Sequence, residues 1–563
     1  MRFTPAAAAL LALPLLAQQP PVRDQPFAES IDVSVANVEV YVTGRDGRPA
    51  RGLAKGDFEL RVDGKAVEIV NFSEVEEGSP VAPKEEAAVE TAAAAAVPAA
   101  APPAPDPLSL VVFVDNANLR PFGRNRVLRQ VREFLDSTVG PRDRVLLVTH
   151  DQGLVVRRPL SAGKESLAAD LGKLEKLAAR GTMLDHSTWT VMDTIRSLGC
   201  DRADEAMQLA RGHAQSVRNE ALVTLNGLEG LVQSLSGIEG RKTILYVSDG
   251  IPMHPGEDVF RFLFNLCGGE DPAMSTEELS SRFRRVTQLA NAGGVTFYTL
   301  ESSGPPVYTS ASADGNPTAG MVGSNLMQFE KAGDTQQVLF NLASETGGRA
   351  VLNGGDIRAG LSRIREDLRS YYSLGYAPER SGDGRSHSIQ VRLRREGLKV
   401  RNRTTYTDLP RDERIAARVQ TALLHGLVDN LLQAGLELSG NQPAERGKRL
   451  VTLRVRLPLK QLVLVAQGNA WVGQVTLWIG ARDANGRMAP VQKVQVPVRI
   501  PATVAREQLP GQTFAYDIRM KMAERGKQTV AVGVQDDLGH VASFITGTFK
   551  VDRKGVTAVA SGR

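Results

Sequence analysis

Two short apolar runs, each leading into an aspartate, constrain this chain more than any other feature. Leu108–Asp115 reads LSLVVFVD, and Arg241–Gly250 reads RKTILYVSDG. Neither run alternates polar with apolar residues. Each therefore fits a strand buried on both faces, as in a parallel sheet with helices packed on either side. Such sheets bind ligands at the carboxyl ends of their strands, where Asp115 and Asp249 stand. Two carboxylates at one rim suit a hard divalent cation with oxygen ligands. The other reading is that each Asp caps the turn or helix that follows it.

The 563 residues exceed one ordinary core and suggest three or four units. Residues 18–76 form a small β module: IDVSVANVEVYVTG, DFELRVDG and KAVEIVNFSEV alternate, and GRDGRP and DGK supply the turns. Residues 77–107 are an Ala/Pro/Glu-rich linker. Residues 108–408 alternate strands and helices, the sign of a doubly wound, mostly parallel α/β layer. There Asn125–Thr138 places Val127, Leu128, Val131, Phe134 and Leu135 on one helix face. Thr190–Gly237 is mostly helical with a break near Gly199 and an optional second one near Gly212, and Ser373–Ala377 and His387–Arg394 are the last strands. Residues 409–440 form a helical connector whose amphipathic helix runs from Arg411 to Gly435. Residues 441–555 read as a β-sandwich, and 556–563 as a disordered tail.

Several stretches in this order resemble the von Willebrand factor A (vWA) domain, and more narrowly the VWFA-related proteins common in Acidobacteria. They are VVFVDNANLRPFGRNRVL (Val111–Leu128), RGTMLDHS (Arg180–Ser187), GRKTILYVSDG (Gly240–Gly250) and YYSLGYAP (Tyr371–Pro378). SHSIQVRLRREGLKVRNRTTY follows in the expected place, so the resemblance covers roughly residues 31–406. It implies a Rossmann-like α/β domain with a metal-ion-dependent adhesion site built from three loops. The first loop carries Asp-x-Ser-x-Ser, the second a Thr and the third an Asp, and a partner protein's carboxylate completes the cation's shell. Here Asp115, Thr182 and Asp249 match three of the five ligands. Ala117 and Leu119 stand where the serines would be, and neither has a side-chain oxygen. Asn118, or Asn116, would have to substitute. The resemblance thus implies a degenerate site, with Mg²⁺ or Ca²⁺ as the ion if one binds.

Other patterns exclude more than they assign. Lys+Arg (68) and Asp+Glu (63) nearly balance, and no aromatic-rich basic motif occurs, which speaks against nucleic acid as a partner. SGIEGRKT is no phosphate loop, because Arg241 separates Gly240 from Lys242 and a strand follows where a helix is needed. HExxH, GxSxG and CxxC are absent. His150, His186, His213 and His254 read as surface or loop residues. The cluster Arg120, Arg124, Arg126, Arg129 and Arg132 reads as a solvated helix face or, alternatively, an acidic-ligand surface. MRFTPAAAALLALPLLAQQPP has the layout of an export signal with cleavage after Ala17, and no later segment is long and apolar enough to span a membrane. Cys200 and Cys267 would be free to pair in an oxidising compartment.

The expectation is an exported, periplasmic or secreted, non-enzymatic protein that binds a protein partner in adhesion or scaffolding. The alternatives are a carbohydrate-binding or structural envelope protein, with Trp471 and Trp478 as available stacking residues, and a metal-dependent envelope hydrolase.

Overall fold

The computed structural model describes residues 35–76, 79–80, 107–164, 166–268, 278–303, 324–352, 356–378, 382–445, 447–503, 511–523, 526–552 and 555–561. The expected leader at 1–17 and nearly all of the 77–107 linker lie outside them.

The two apolar runs are neighbouring central strands. In chain order the α/β sheet contains β6 (Ser109–Val114), β7 (Arg144–His150), β8 (Leu154–Ala162), β9 (Lys242–Val247), β10 (Val295–Leu300) and β11 (Ala350–Val351). Across the sheet the order is β11-β10-β9-β6-β7-β8, parallel throughout except for the antiparallel edge strand β8. Renumbered within the sheet, this is the doubly wound order 3-2-1-4-5-6, whose switch point falls between β6 and β9. Every residue of β6 and β9 is buried. One face packs Val111, Phe113, Ile244 and Tyr246 against helices α4 (Ala203–Leu235), α6 (Ser280–Ala292) and α7 (Ser324–Glu345). The other packs Leu110, Val112, Val114 and Leu245 against α1 (Pro121–Thr138), α2 (Leu167–Leu174) and α8 (Ile357–Arg369). The five apolar residues expected on one face of α1 are all buried.

Beside this layer, α3 (Gly181–Leu198), the first half of α4 and α5 (Glu257–Cys267) share a satellite core of Met192, Ile195, Ala206, Ala210, Val259 and Phe260. The helix expected over Thr190–Gly237 is broken at Gly199, as read, but not near Gly212, where α4 runs on, and α3 begins earlier, at Gly181. Cys200 and Cys267 are joined in a disulfide that ties the α3–α4 turn to the end of α5.

Strand partners differ from the sequence reading in one respect. β12 (Tyr371–Tyr376), β13 (Ser386–Leu393), β14 (Lys399–Asn402) and β15 (Thr405–Thr407) do not extend the α/β sheet. β12, β13 and β14 pair directly with strands of the N-terminal segment, which contributes β1 (Ala36–Thr43), β2 (Phe58–Val62), β3 (Lys65–Val67), β4 (Asn71–Glu76) and β5 (Ser79–Pro80), and β15 pairs with β13. The resulting sheets are β14-β1-β12-β4-β5 and β15-β13-β2-β3, around Val38, Val40, Phe58, Leu60, Tyr372 and Leu374. Alternation identifies a strand and its buried face, but not the sheet it joins.

The C-terminal unit pairs β16 (Gly435–Pro443), β17 (Lys448–Pro458) and β21 (Thr513–Ala523) in one sheet. The second contains β18 (Val465–Gln467), β19 (Ala470–Arg482), β22 (Gly526–Asp536), β23 (Ala542–Val551) and β24 (Val556–Ser561), with β20 (Gln492–Pro501) on β19. Val451, Leu453, Val475, Leu477, Val532 and Ile545 fill the space between them. Two expectations are corrected here. The helix of the connector, α9 (Arg411–His425), stops at Gly426 in a left-handed conformation (φ 66°) rather than at Gly435, which opens β16. The region expected to be a tail forms β24, because the chain turns at Gly555 and pairs Val556 with Val551.

α9 covers the outer face of the larger sheet, burying Val419 and Leu423 over Trp478, Ala531 and Phe544. It also meets α4: Thr421 donates to the Ser234 carbonyl, and His425 Nε2 lies 3.1 Å from Ser234 Oγ. Burial pushes the His425 imidazole down from 6.5 to about 4. The unfolded chain takes up a proton across that interval which the folded chain refuses, so folding stability drops as pH falls from about 6.5 toward about 4. His425→Gln should flatten this part of the stability profile. Thermal unfolding of both proteins through the interval checks it, and parallel profiles would contradict it.

Candidate functional site

The switch point places Asp115 and Asp249 one residue and two residues beyond the ends of adjacent strands. Val114 of β6 is in register with Val247 of β9, and the Asp115 amide donates to the Val247 carbonyl (2.9 Å). The first and third loops therefore share one rim, as the sequence implied. The second loop joins them: the Arg180 amide donates to the Asn116 carbonyl (2.8 Å) and the Gly181 amide to the Leu119 carbonyl (3.0 Å). Gly181 is needed for this approach, since a Cβ there would stand 2.7 Å from the Leu119 carbonyl oxygen.

The three proposed ligands have very different surroundings. Asp115 is 0% exposed. Its Oδ2 accepts hydrogen bonds from the Tyr246 hydroxyl (2.7 Å), the Ser248 hydroxyl (2.8 Å) and Asn118 Nδ2 (2.9 Å). Burial and the Asp115 charge push the Tyr246 phenol well above its ordinary value, so it stays a donor. Asp115 Oδ1 has no hydrogen-bond partner among the described residues, and His150 Nδ1 lies 3.7 Å from it. Asp249 accepts at Oδ1 from the Ser302 amide (2.9 Å) and hydroxyl (2.7 Å). Thr182 is exposed on the first turn of α3. RGTMLDHS reads as a loop by its place in the motif order, but it is the start of a helix.

Neither asparagine replaces the missing serines. Asn118 turns its amide nitrogen to Asp115. Asn116 donates to Asp151 Oδ1 (3.0 Å) and accepts from Arg124 Nη1 (3.0 Å). Mg²⁺ requires near-octahedral oxygen ligation with several waters retained, and Ca²⁺ requires still more oxygens. Among the described side chains the rim offers a cation the unpartnered oxygens of Asp115 and Asp249, and no side-chain oxygen from Ala117 or Leu119.

The arginine cluster corrects the solvated-face reading. Arg124 is fully buried and also donates to the Glu175 carbonyl (3.0 Å). Arg126 donates to the Ser302 carbonyl (2.9 Å), and Arg132 to Glu175 Oε1 (2.8 Å). These side chains fasten α1 to the loops around it, and only Arg129 is exposed. Their spacing gives no hint of this, because the Glu175 and Ser302 carbonyls and the Glu175 carboxylate that accept from them come from remote loops. His150 is likewise buried rather than on the surface.

At the solvent edge of the rim, Arg120 pairs with Asp185 (2.7 Å), and Lys331 pairs with Asp185 (3.4 Å) and Asp258 (3.3 Å). Burial works to raise Asp185, but Lys331 and Arg120 outweigh it and hold the carboxyl below its usual range. Beside this network stand two exposed apolar side chains: Phe122 in the first turn of α1 (72%) and Met183 in the first turn of α3 (65%).

Asp249 gives a direct check on the cation. Burial raises its carboxyl above the ordinary value against the lowering effects of Arg120 and Ser302, and its Oδ2 has no hydrogen-bond partner among the described residues. A raised carboxyl is protonated more readily in the folded than in the unfolded chain, so it costs stability as pH rises above the ordinary carboxylate range. Asp249→Asn keeps an acceptor for Ser302 and removes the charge. Its melting temperature at pH 7 should equal or exceed that of the parent, with the gap closing in acid. A lower melting temperature that appears only when Mg²⁺ or Ca²⁺ is supplied would instead show that the parent binds the ion.

No protein-family model and no curated protein matches this sequence. Among solved structures, the chain is similar to a von Willebrand factor type A protein from Catenulispora acidiphila (10% identity, 90% of this chain and 72% of that one, TM-score 0.22). It is also similar to an aerotolerance-related membrane protein from Bacteroides fragilis (11% identity, 46% and 98%, TM-score 0.23). A third is the manganese-loaded TRAP protein of Plasmodium vivax (10% identity, 53% and 92%, TM-score 0.21). The assignment of a vWA-like α/β layer with accompanying β modules rests on the strand order, the single antiparallel edge and the three-loop rim.

Proposed function

We propose that this chain is an exported, non-enzymatic protein-binding protein, acting in adhesion or scaffolding, that recognises its partner at the carboxyl-end rim without a cation at Asp115. The observation that carries this reading is the exposure of Phe122 and Met183, in the first turns of α1 and α3, two helix starts tied together by the Arg120–Asp185 ion pair. Aromatic residues, Met and Arg are enriched at protein interfaces. The same rim offers little to a reaction: the Ser248 hydroxyl is committed to Asp115, and His150 is enclosed. Export is supported by the leader-like N-terminus and by the Cys200–Cys267 bridge, a bond characteristic of oxidising compartments.

Capture from envelope extract by the full chain lacking its leader tests this, followed by binding measurements with the isolated partner. Binding should survive EDTA and be lost in Phe122→Ser with Met183→Ser. Loss in EDTA and also in Asp249→Asn would favour the second reading, in which Asp115, Thr182 and Asp249 hold Mg²⁺ or Ca²⁺ and the partner completes the shell. The carbohydrate reading gains nothing from the tryptophans: Trp478 is buried under Lys493, and Trp471 packs against the sandwich core.

A further inference from the structure

A second group of metal-ligating side chains lies apart from the Asp115 site, where the segment after β9 meets α5 and α7. His254 precedes α5, Glu257 is its first residue and Asp334 belongs to α7. One ligand atom from each lies within 4.8 Å of the other two. We propose that His254, Glu257 and Asp334 bind one divalent transition-metal ion of the zinc class, leaving a coordination position open to solvent.

The distances bracket what such an ion needs. His254 Nδ1 is 2.8 Å from Asp334 Oδ1 and 3.7 Å from Glu257 Oε2. Tetrahedral zinc with bonds of about 2.0–2.1 Å sets its donors about 3.4 Å apart, between these two separations. The spare oxygens are already held. Glu257 Oε1 accepts from Arg261, which leaves Oε2 facing the imidazole. Asp334 Oδ2 accepts from the His254 amide (3.2 Å), which aims Oδ1 at the ring. Outer contacts that fix ligand orientation are a regular feature of metal sites. Burial pushes the Asp334 carboxyl up despite the lowering contacts from His254. An imidazole with two carboxylates favours a borderline cation such as Zn²⁺ over Mg²⁺ or Ca²⁺, which take oxygen alone. Binding takes the Nδ1 lone pair, so the neutral imidazole that holds the ion carries its proton on Nε2. All three side chains are partly exposed, so the ion has a path in. The bound ion would lock the segment that carries Asp249 against α7.

The test is calorimetric titration of Zn²⁺ into the full, tag-free chain after chelator treatment, with Co²⁺ absorption as a reporter of coordination. One ion per chain should bind, and Co²⁺ should give the intense visible bands of a tetrahedral site. Glu257→Gln and Asp334→Asn should each weaken Zn²⁺ by at least the roughly 10–100-fold seen when outer contacts are lost. Asp258→Asn, a neighbouring carboxylate outside the trio, should change it little. Circular dichroism establishes that each variant is folded, and either of Glu257→Gln and Asp334→Asn serves if the other is not. Absence of heat and of visible bands overturns the proposal. So does equal weakening by Asp258→Asn, or binding that ignores both Glu257→Gln and Asp334→Asn; the trio is then a hydrogen-bonded His–Asp pair beside an Arg–Glu ion pair.

Discussion

Arg241→Met should destabilise the chain by about 3–5 kcal/mol, the usual cost of removing one partner from a buried ion pair. Arg241 sits just ahead of β9, and its guanidinium lies where the α/β layer meets the N-terminal β module. It donates to Glu39 Oε2 (3.3 Å), the Tyr41 hydroxyl (2.9 Å) and the Leu368 carbonyl (2.8 Å). It also lies over the Tyr371 ring, 4.1 Å from the centroid. Burial alone would raise the Glu39 carboxyl; Arg241 and Arg403 reverse that and hold it below its ordinary value. Methionine matches much of the volume but strands Glu39, whose remaining cation, Arg403, is 3.9 Å away. Adding Glu39→Gln should therefore recover part of the loss, because a stranded charge costs more than a stranded amide. Denaturant unfolding of the two single variants and the double variant measures that coupling. If Arg241→Met costs under about 1 kcal/mol, in the range of an exposed pair, the guanidinium does not hold the two units together.

The Arg241 result bears on what a single sequence reveals. The strands that carry Asp115 and Asp249 were readable because burial on both faces leaves an uninterrupted apolar run, and their meeting at a shared rim follows from doubly wound topology. The core face of α1 was readable from its period. What was not readable depends on partners remote in the chain. Arg241 looked like a mere interruption between Gly240 and Lys242, and the YYSLGY strand looked like the end of the α/β layer; each finds its role opposite β1. The fate of Asp115 was hidden the same way. Tyr246 and Ser248 lie one strand over, and an apolar run gives no sign that its tyrosine points a hydroxyl at the neighbouring strand's terminal carboxylate. For His254, Glu257 and Asp334, the i,i+3 spacing of the first two was visible, but the third ligand comes from a helix beyond β10.

Asp115→Ala should be the more damaging change at the rim, and its direction separates a structural carboxylate from a metal-binding one. Where a cluster of acids exists to hold a cation, deleting one relieves repulsion in the metal-free protein and costs little stability. Here Asp115 is the shared acceptor for Tyr246, Ser248 and Asn118, the first two of which are fully buried. Alanine leaves all three donors without this acceptor, and the two hydroxyls sit in a space closed to bulk water. Each buried unsatisfied group costs about 1–3 kcal/mol. The three share one acceptor, so their costs do not simply add, and about 3 kcal/mol or more is expected. Asp115→Asn retains one acceptor oxygen at that point and should lose less. Adding Tyr246→Phe to Asp115→Ala removes one stranded hydroxyl and should return part of the loss. The measurement is urea unfolding in EDTA, so that no cation contributes to the parent's stability. An Asp115→Ala protein as stable as its parent under those conditions would show that the three donors find other acceptors. The carboxylate would then be held in place for an ion after all.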